Sequence, residues 1–397
     1  MSVHDTVPLT DEQKLVRDSI RDLCSDFGRE YWRKRDAEGE YPYEFVDELG
    51  DHGWFGALIP EEYGGAGMGT SETVVMMEEI AASGGGFSAA QAIHGGIYNS
   101  VPLVKYGDEA MKSEILPEVA DGEVSIQAFG LTEPNAGSDS TSMETRAVRE
   151  EDGYRVNGQK IWISRVDASD YILLMARTTP KAEVEKPTRG ISMFLVDLEA
   201  AHDRGGLEMR EIPKTASNAV HSFELWFEDL RIPESALVGT EGEGFYQMLD
   251  GLNEERLVIA AECLGLGEVA LDAGVEYAGE REVFGNRIGS YQAVAHPLAE
   301  SWSKLEQDEL MVRKAAWCYD EGEEVGPTAN AVKLRASEDA IEACERAVRV
   351  HGGMGYAAEY DVERYWREAM INVLAPVSNE MVKNYIAHRV LDLPRSY

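Results

Sequence analysis

The hydrophobic periodicity changes twice along these 397 residues, which limits the fold more than any other feature. Up to about residue 125, apolar residues recur at helical spacing, as in D-E-Q-K-L-V-R-D-S-I-R-D-L at 11–23 and the amphipathic run S-E-T-V-V-M-M-E-E-I-A-A at 71–82. Thr10 with Gln13 forms a capping box ahead of the first run. Near Ala128 the pattern becomes short β-rich runs, Y-I-L-L-M-A-R, I-S-M-F-L-V-D-L and S-F-E-L-W-F, separated by turn clusters. Helical periodicity returns after Gly244, with runs at 245–279, 291–320, 328–350 and 362–391. The expected fold is therefore α+β and multidomain: an N-terminal all-α domain over 1–125, a middle antiparallel β domain over 126–236, and a C-terminal four-helix bundle over 237–397.

Composition narrows the partners. The chain carries 73 acidic against 37 basic residues, a formal net charge of −36, so it repels nucleic acid and anionic lipid, whose binding needs clustered Lys and Arg. The acids are spread from Asp11 to Asp392 through periodic segments rather than gathered in a tail, and Arg outnumbers Lys. Such a surface of hydrated carboxylates fits a high-salt cytosol, where screening removes the self-repulsion. Cys24, Cys263, Cys318 and Cys344 form no C-x-x-C pair and read as thiols of a reducing compartment. The start, M-S-V-H-D-T-V-P-L-T, has no basic region followed by an apolar run, and no apolar stretch approaches the ~20 residues of a membrane span, so a cytoplasmic protein is expected. No H-x-H, H-E-x-x-H or Cys/His cluster suggests a metal, and G-G-M-G at 352–355 follows a helix, unlike a Rossmann loop.

Two segments carry the chemistry. A-F-G-L-T-E-P-N-A-G-S-D at 128–139 is a turn fixed by Gly130, Pro134 and Gly137, in which Leu131 and Thr132 point polar groups at one ligand. N-G-Q-K-I-W-I-S at 157–164 is a strand ending in Trp162 and Ser164. Thr132 and Ser164 suit the polar edge of a flat redox ring such as a flavin, and Trp162 suits its wall. In this order and spacing the pair resembles the acyl-CoA dehydrogenase family. P-E-E-Y-G-G-A-G at 60–67, G-E-G-F at 242–245, R-E-V-F-G-N-R-I-G-S-Y-Q at 281–292 and H-G-G-M-G-Y-A-A-E-Y at 351–360 look like further landmarks, in the family's order.

The resemblance implies FAD, oxidation of a saturated acyl-CoA to the trans-2-enoyl-CoA, electrons passed to an electron-transfer flavoprotein, and a homotetramer built as a dimer of dimers. By the same resemblance Phe129, Leu131, Thr132, Trp162 and Ser164 match flavin-contacting positions, and Ser138 touches the pantetheine arm. Arg281, Phe284 and Gln292 match the segment that reaches the FAD pyrophosphate and adenosine of a neighbouring subunit. Arg349, where relatives often have Gln, and Gly353 belong to the same phosphate end, and Ser378 keeps the hydroxyl of the family Thr. One position departs: the family's catalytic E-G-T reads Pro376-Val377-Ser378 here. Proline also lacks the backbone N–H that in the family helps hold the thioester oxygen, and losing one such donor typically costs about 2.7–4 kcal/mol of transition-state stabilisation.

A base must therefore come from elsewhere, as a carboxylate shielded from water. In F-Y-Q-M-L-D-G-L-N-E-E-R-L-V-I-A-A-E-C-L, Met248, Leu252, Glu255 and Ile259 recur at helical spacing, which puts Glu255 on an apolar stripe. Glu254, beside Asp250 and Gln247, is expected on a polar face, and Glu262 is the nearest rival. Branched-chain members resembling isovaleryl-CoA dehydrogenase, and long-chain members, carry their base just before an Arg in this helix, which points to Glu255 followed by Arg256 as a substrate contact. The altered loop leaves two alternatives: a same-fold flavin oxidase, monooxygenase or cyclic acyl-CoA dehydrogenase, and a non-catalytic flavin- or CoA-binding relative.

Overall fold

The computed structural model describes residues 8–395. The opening segment used above to argue against a leader lies mostly outside them. Seven helices come first: α1 Asp11–Ser25, α2 Arg29–Glu38, α3 Tyr43–Asp51, α4 Thr70–Ala82, α5 Phe87–Tyr98, α6 Val101–Tyr106 and α7 Glu109–Ala120. The capping box at α1 forms as expected, with Thr10 Oγ1 accepting from the Gln13 amide and Gln13 Oε1 accepting from the Thr10 amide, each at 3.1 Å. Helix α4 departs from the amphipathic expectation. Its residues from Thr73 through Glu78 are buried on every side, because it is inserted among α1 and the later helices α9, Gly244–Glu280, and α10, Gln292–Asp320, rather than laid on a surface.

The sheet comprises β1 Ala128–Gly130, β2 Arg146–Glu150, β3 Gly153–Ser164, β4 Tyr171–Arg177 and β5 Ile191–Asp197, then the short helix α8 Leu198–Asp203, β6 Leu207–Glu211, β7 Ser222–Pro233 and β8 Leu237–Val238. Strand order is β6-β7-β3-β2-β4-β5-β8. Most pairs are antiparallel; β1 and the start of β2 join β4 in parallel. The apolar residues of β4 and β5 are buried on both faces, which explains their continuous rather than alternating hydrophobic runs.

Helix α9, Gly244–Glu280, is a single rod of 37 residues. A two-residue hairpin of β9 Glu282–Val283 and β10 Asn286–Arg287 follows, then α10 Gln292–Asp320 and α11 Gly326–His351. From Leu257 to Leu271 every residue of α9 is buried, since α4, α10 and α11 enclose it. Gly265 permits the α4 crossing: a Cβ there would sit 2.2 Å from the Glu78 carbonyl oxygen. The fourth predicted helix is interrupted. α12 Val362–Ala369 ends in one tight turn at Met370–Val373, and α13 Asn379–Tyr385 begins only after an irregular stretch. Pro376 lies in that gap, where its missing N–H and its ring clash with a preceding carbonyl forbid a continuous helix. Arg364 pins this region to the N-terminal helices by donating to the carbonyls of Gly84 and Gly85 at 2.7 and 2.8 Å.

Candidate active site

The fold brings the two signature segments together. The Ile161 amide donates to the Thr132 carbonyl at 2.9 Å, so the 128–139 turn lies along the end of β3. Beneath them Lys160, with no exposed side-chain surface, donates to the carbonyl of Leu131 and the carboxylate of Glu133. Burial pushes the Lys160 ammonium down to about 8 despite Glu133. Glu133 moves the other way: burial would raise it, but Lys160 and the Glu144 amide hold it below its usual value. Neither residue was singled out from sequence, although both lie inside the quoted motifs.

The register of β3 against β7 slips between Lys160 and Ile163, and Trp162 sits at φ 62° in this bulge. A left-handed backbone at so bulky a residue is strained, and such strain clusters where function requires it. The bulge turns the indole out of the sheet, leaving it 55% exposed. Phe129, Leu131, Thr132 and Ser164 are half-buried, Ser138 is exposed, and the Ser164 hydroxyl meets that of Ser222 at 3.1 Å.

Facing this corner is the N-terminal half of α9. Met248 and Ile259 are buried, as the stripe predicts, and Leu252 packs on the same core as Met248; the Glu255 side chain is 26% exposed. Glu254 is the correction. It is buried rather than on a polar face, as is Gln247, and accepts from the Thr70 hydroxyl at 3.1 Å and the Tyr319 hydroxyl at 3.3 Å. Helix periodicity alone could not show that α4 and α10 cover this side. Burial raises the Glu254 carboxyl above its usual range.

Four side chains that sequence reasoning passed over or ranked second form a connected group reaching Glu255. His94 Nε2 lies 3.8 Å from Glu255 Oε1, and its Nδ1 is 2.6 Å from Glu262 Oε1. Gln91 Nε2 donates to the other oxygen of Glu262 at 3.0 Å. Gln91 and His94 lie three residues apart in the apolar helix α5, so one face of that helix carries both, which is the signal that could have found them. Arg165, directly after Ser164, donates to the Gln91 carbonyl at 2.7 Å and the Gln127 carbonyl at 3.3 Å.

Arg256 donates to Asn253 Oδ1 at 3.0 Å, while its buried Nε has no partner. Burial lowers its basicity. Lys333, pushed down to about 8 by burial and sensing the charge of Arg256, donates to the Val377 carbonyl at 2.7 Å, which places the Pro376 loop near Arg256. The Ser378 hydroxyl caps α13 by accepting from the Met381 amide at 3.4 Å.

The remaining predicted residues form a second group at the far end of α9. Arg281 follows Glu255 by 26 positions (281 − 255), about 39 Å along the axis at 1.5 Å per residue. Arg349 and Gly353 belong to that end too, because His351 stacks on Tyr277 with ring centroids 4.2 Å apart. Phe284 and Gly285 form a hairpin turn with φ of 54° and 79°, a primed geometry, and Phe284 projects from it with 94% of its surface exposed. Gln292 and Arg349 are exposed, Arg349 being paired with Glu345.

A helix-borne carboxylate linked through His94, Glu262, Gln91 and Arg165 to the strand with the bulged tryptophan, in a chain ordered helices, sheet, helices, is the arrangement expected of the flavin-dependent helical–β–helical class. Three family models match in order: the acyl-CoA dehydrogenase N-terminal domain over residues 10–123, the middle domain over 128–230 and the C-terminal domain over 242–391. An acyl-CoA dehydrogenase of Mycobacterium tuberculosis is 35% identical over 393 residues, 98% of each chain. A subunit of the caffeyl-CoA reductase–Etf complex of Acetobacterium woodii is 32% identical over 388 residues, covering 96% of this chain and 99% of that one. The solved structure of butyryl-CoA dehydrogenase from Megasphaera elsdenii superposes with a TM-score of 0.90 at 30% identity, covering 97% of this chain and 99% of that one. The chain belongs to the acyl-CoA dehydrogenase family. It is an oxidoreductase, and its cofactor is FAD.

The residues present fit that cofactor. The exposed Trp162 indole offers a flat wall beside Thr132 and Ser164, and the exposed Arg281 guanidinium makes no side-chain hydrogen bond or ion pair with another described residue. A Cβ at Gly353 would meet nothing within 4 Å, leaving the backbone there open to close approach. Among the described residues no helix is long and apolar enough to cross a membrane.

Proposed function

We propose that the protein oxidises a saturated acyl-CoA thioester to the trans-2-enoyl-CoA, with Glu255 as the base. The observation that carries this reading is the position of Glu255: half-buried on α9, next to Arg256, and joined through His94, Glu262, Gln91 and Arg165 to the strand that bears Trp162 and Ser164. Glu255 takes the proton from the α-carbon. Bound FAD supplies the acceptor for the hydride that leaves the β-carbon. Phe129, Leu131, Thr132 and Ser164 hold the flavin edge and Trp162 closes one side, while Ser138 and Arg256 contact the CoA ester, the unpartnered Nε of Arg256 being a donor free to do so. Pro376 offers no N–H to the thioester oxygen, so that oxygen takes its hydrogen bonds elsewhere.

Arg281, Phe284, Gln292, Arg349 and Gly353, too far from Glu255 along α9 to serve the same ring, hold the pyrophosphate and adenosine of FAD bound chiefly to a second copy of the chain. A dimer follows at least, with a tetramer the family's usual assembly; Ser378, at the edge of the same loop as Pro376, completes the FAD contacts. Similarity to a subunit of an Etf complex supports an electron-transfer flavoprotein as electron acceptor. The net charge of −36 supports a cytoplasm of high salt, and a melting temperature that fails to rise from dilute to molar potassium chloride would refute that part.

The deciding experiment is an anaerobic titration of the FAD-loaded protein with straight-chain, branched and cyclic acyl-CoAs, followed by flavin absorbance. Bleaching by one class establishes the reaction and names the substrate. Glu255→Gln keeps its FAD and loses flavin reduction by at least about 100-fold, the usual worth of a general base. A protein that binds acyl-CoA across the whole panel without bleaching is a binding relative instead.

A further inference from the structure

Glu255 does not stand alone. His94 is 7% exposed and is held from both sides, by Glu262 at 2.6 Å on Nδ1 and by Glu255 at 3.8 Å on Nε2, the latter an ion-pair rather than a hydrogen-bond separation. Glu262 has no exposed surface, and its second oxygen is already occupied by Gln91. Among the described residues its ion pair is with the imidazole, while the Arg165 guanidinium acts on it from farther away. Tyr98, one turn along α5, stacks on the ring at 5.2 Å and 26°, which fixes its plane. The orientation of the Gln91 amide is set in turn by Arg165, whose Nη1 donates both to the Gln91 carbonyl and, at 3.4 Å, to its Oε1.

We propose that His94 is the positioning residue of the base: anchored by Glu262, it sets a cation at ion-pair distance from Glu255 and fixes that carboxylate relative to the strand bearing Trp162 through Gln91 and Arg165. This inference deepens the reading of Glu255 as base and rests on it for its catalytic part. The charged and titratable groups around the ring agree with the assignment. From α9 come Glu255 and Glu262; from the end of β3 comes Arg165, which senses both of these acids and Tyr41; Glu254 and Tyr319 act on the neighbouring Tyr98. Burial by itself would discharge His94, and the two carboxylates outweigh it, pushing the imidazole up to about 9. Loss of His94 removes a cation at ion-pair distance from the base, and the pH dependence of flavin reduction should register that loss. With one cation between two anions, proton capture by Glu255 brings the trio to neutrality.

Two measurements decide it. Histidine labelled with 13C at Cε1 is followed by NMR against pH in the FAD-loaded protein, the His94 signal being assigned by its loss in His94→Gln. His94 is expected to stay charged to about pH 9 in the wild type and to titrate at least one pH unit lower in both Glu262→Gln and Glu255→Gln. Titration near pH 6.5, or a Glu255→Gln protein whose His94 titrates as in the wild type, overturns the proposal. Glu255 is partly exposed, so its variant tests the coupling even if the buried Glu262→Gln fails to fold. In the second, the acid limb of the pH profile for flavin reduction moves up by about one pH unit or more in His94→Gln, while binding of an unreactive enoyl-CoA is unchanged. A purely structural histidine would leave that limb in place. Should no acyl-CoA bleach the wild type, the dehydrogenase reading falls, and the NMR arm still determines whether His94 is coupled to Glu255.

Discussion

Lys160 and Glu133 form a buried ion pair at 2.8 Å directly beneath the turn that presents Leu131 and Thr132. Glu133 also accepts from the amides of Glu144 and Thr145 at 2.6 and 3.0 Å, so one carboxylate ties three stretches of backbone into the corner proposed to face the flavin. Replacing Lys160 with Met strands that acid without a counter-charge. The expected loss is about 3–5 kcal/mol of stability, read from urea unfolding, together with weaker retention of FAD on gel filtration. A K160M protein as stable as wild type, with its FAD in place, would show that the pair is dispensable.

His221 joins the helical and β parts of the chain, meeting the Asp167 carboxylate through Nδ1 and the Gly39 carbonyl through Nε2 at 2.7 Å. The hydrogen bond to Asp167 pushes it up to about 9. A raised histidine stabilises the fold fully below its unfolded value of about 6.5, and the contribution disappears as pH rises through the folded value. The wild type should therefore be more stable than His221→Gln at pH 6, with the difference shrinking steadily toward pH 9. Denaturation midpoints whose gap stays constant over that range would contradict this.

Helix α4 begins against a cap supplied from 250 positions away (320 − 70): Asp320, the last residue of α10, accepts from the amides of Thr70 and Ser71, each at 2.8 Å. A carboxylate there satisfies two orphan donors and complements the helix dipole. Asp320→Ala should cost roughly 0.5–2 kcal/mol in a urea melt. Because Tyr319, its neighbour, also holds Glu254, the variant should lower stability while leaving the substrate profile of flavin reduction intact.

Phe284 exposes 94% of its surface at the tip of a rigid two-residue turn, where solvent alone would favour a polar residue. In the proposed assembly this ring is covered by a second chain. Phe284→Asp should shift the sedimentation of the protein toward the monomer and release FAD, while its far-ultraviolet dichroism stays that of the wild type. Unchanged sedimentation would place the interface elsewhere.

What could be read from the sequence depended on the range of the cause. Thr10 and Gln13 sit three residues apart, so their capping box was visible in a short window; so was the switch from helical to β periodicity near Ala128. The stripe through Met248, Leu252, Glu255 and Ile259 was local too. Glu254 was misplaced because its cover comes from Thr70 and Tyr319, which only the folded chain brings near. The spacing of acids and apolar residues in α4 reads as amphipathic, whereas Glu78 is buried against Arg313 of α10. Pro376 is legible in the sequence both as a chemical departure and as a helix breaker, and periodicity alone over 362–391 hides the break it makes between α12 and α13.

The uninterrupted length of α9 has a consequence for how catalytic centres are shared. One rod carries Glu255 near its start and delivers Arg281 just past its end, so in the proposed assembly each chain completes its own centre with one and its neighbour's with the other. Ownership of a working centre is then split between chains. Glu255→Gln and Arg281→Ala subunits, each inactive among their own kind, should regain activity when mixed and reassembled, because in the mixed dimer both lesions fall in one centre and leave the other whole.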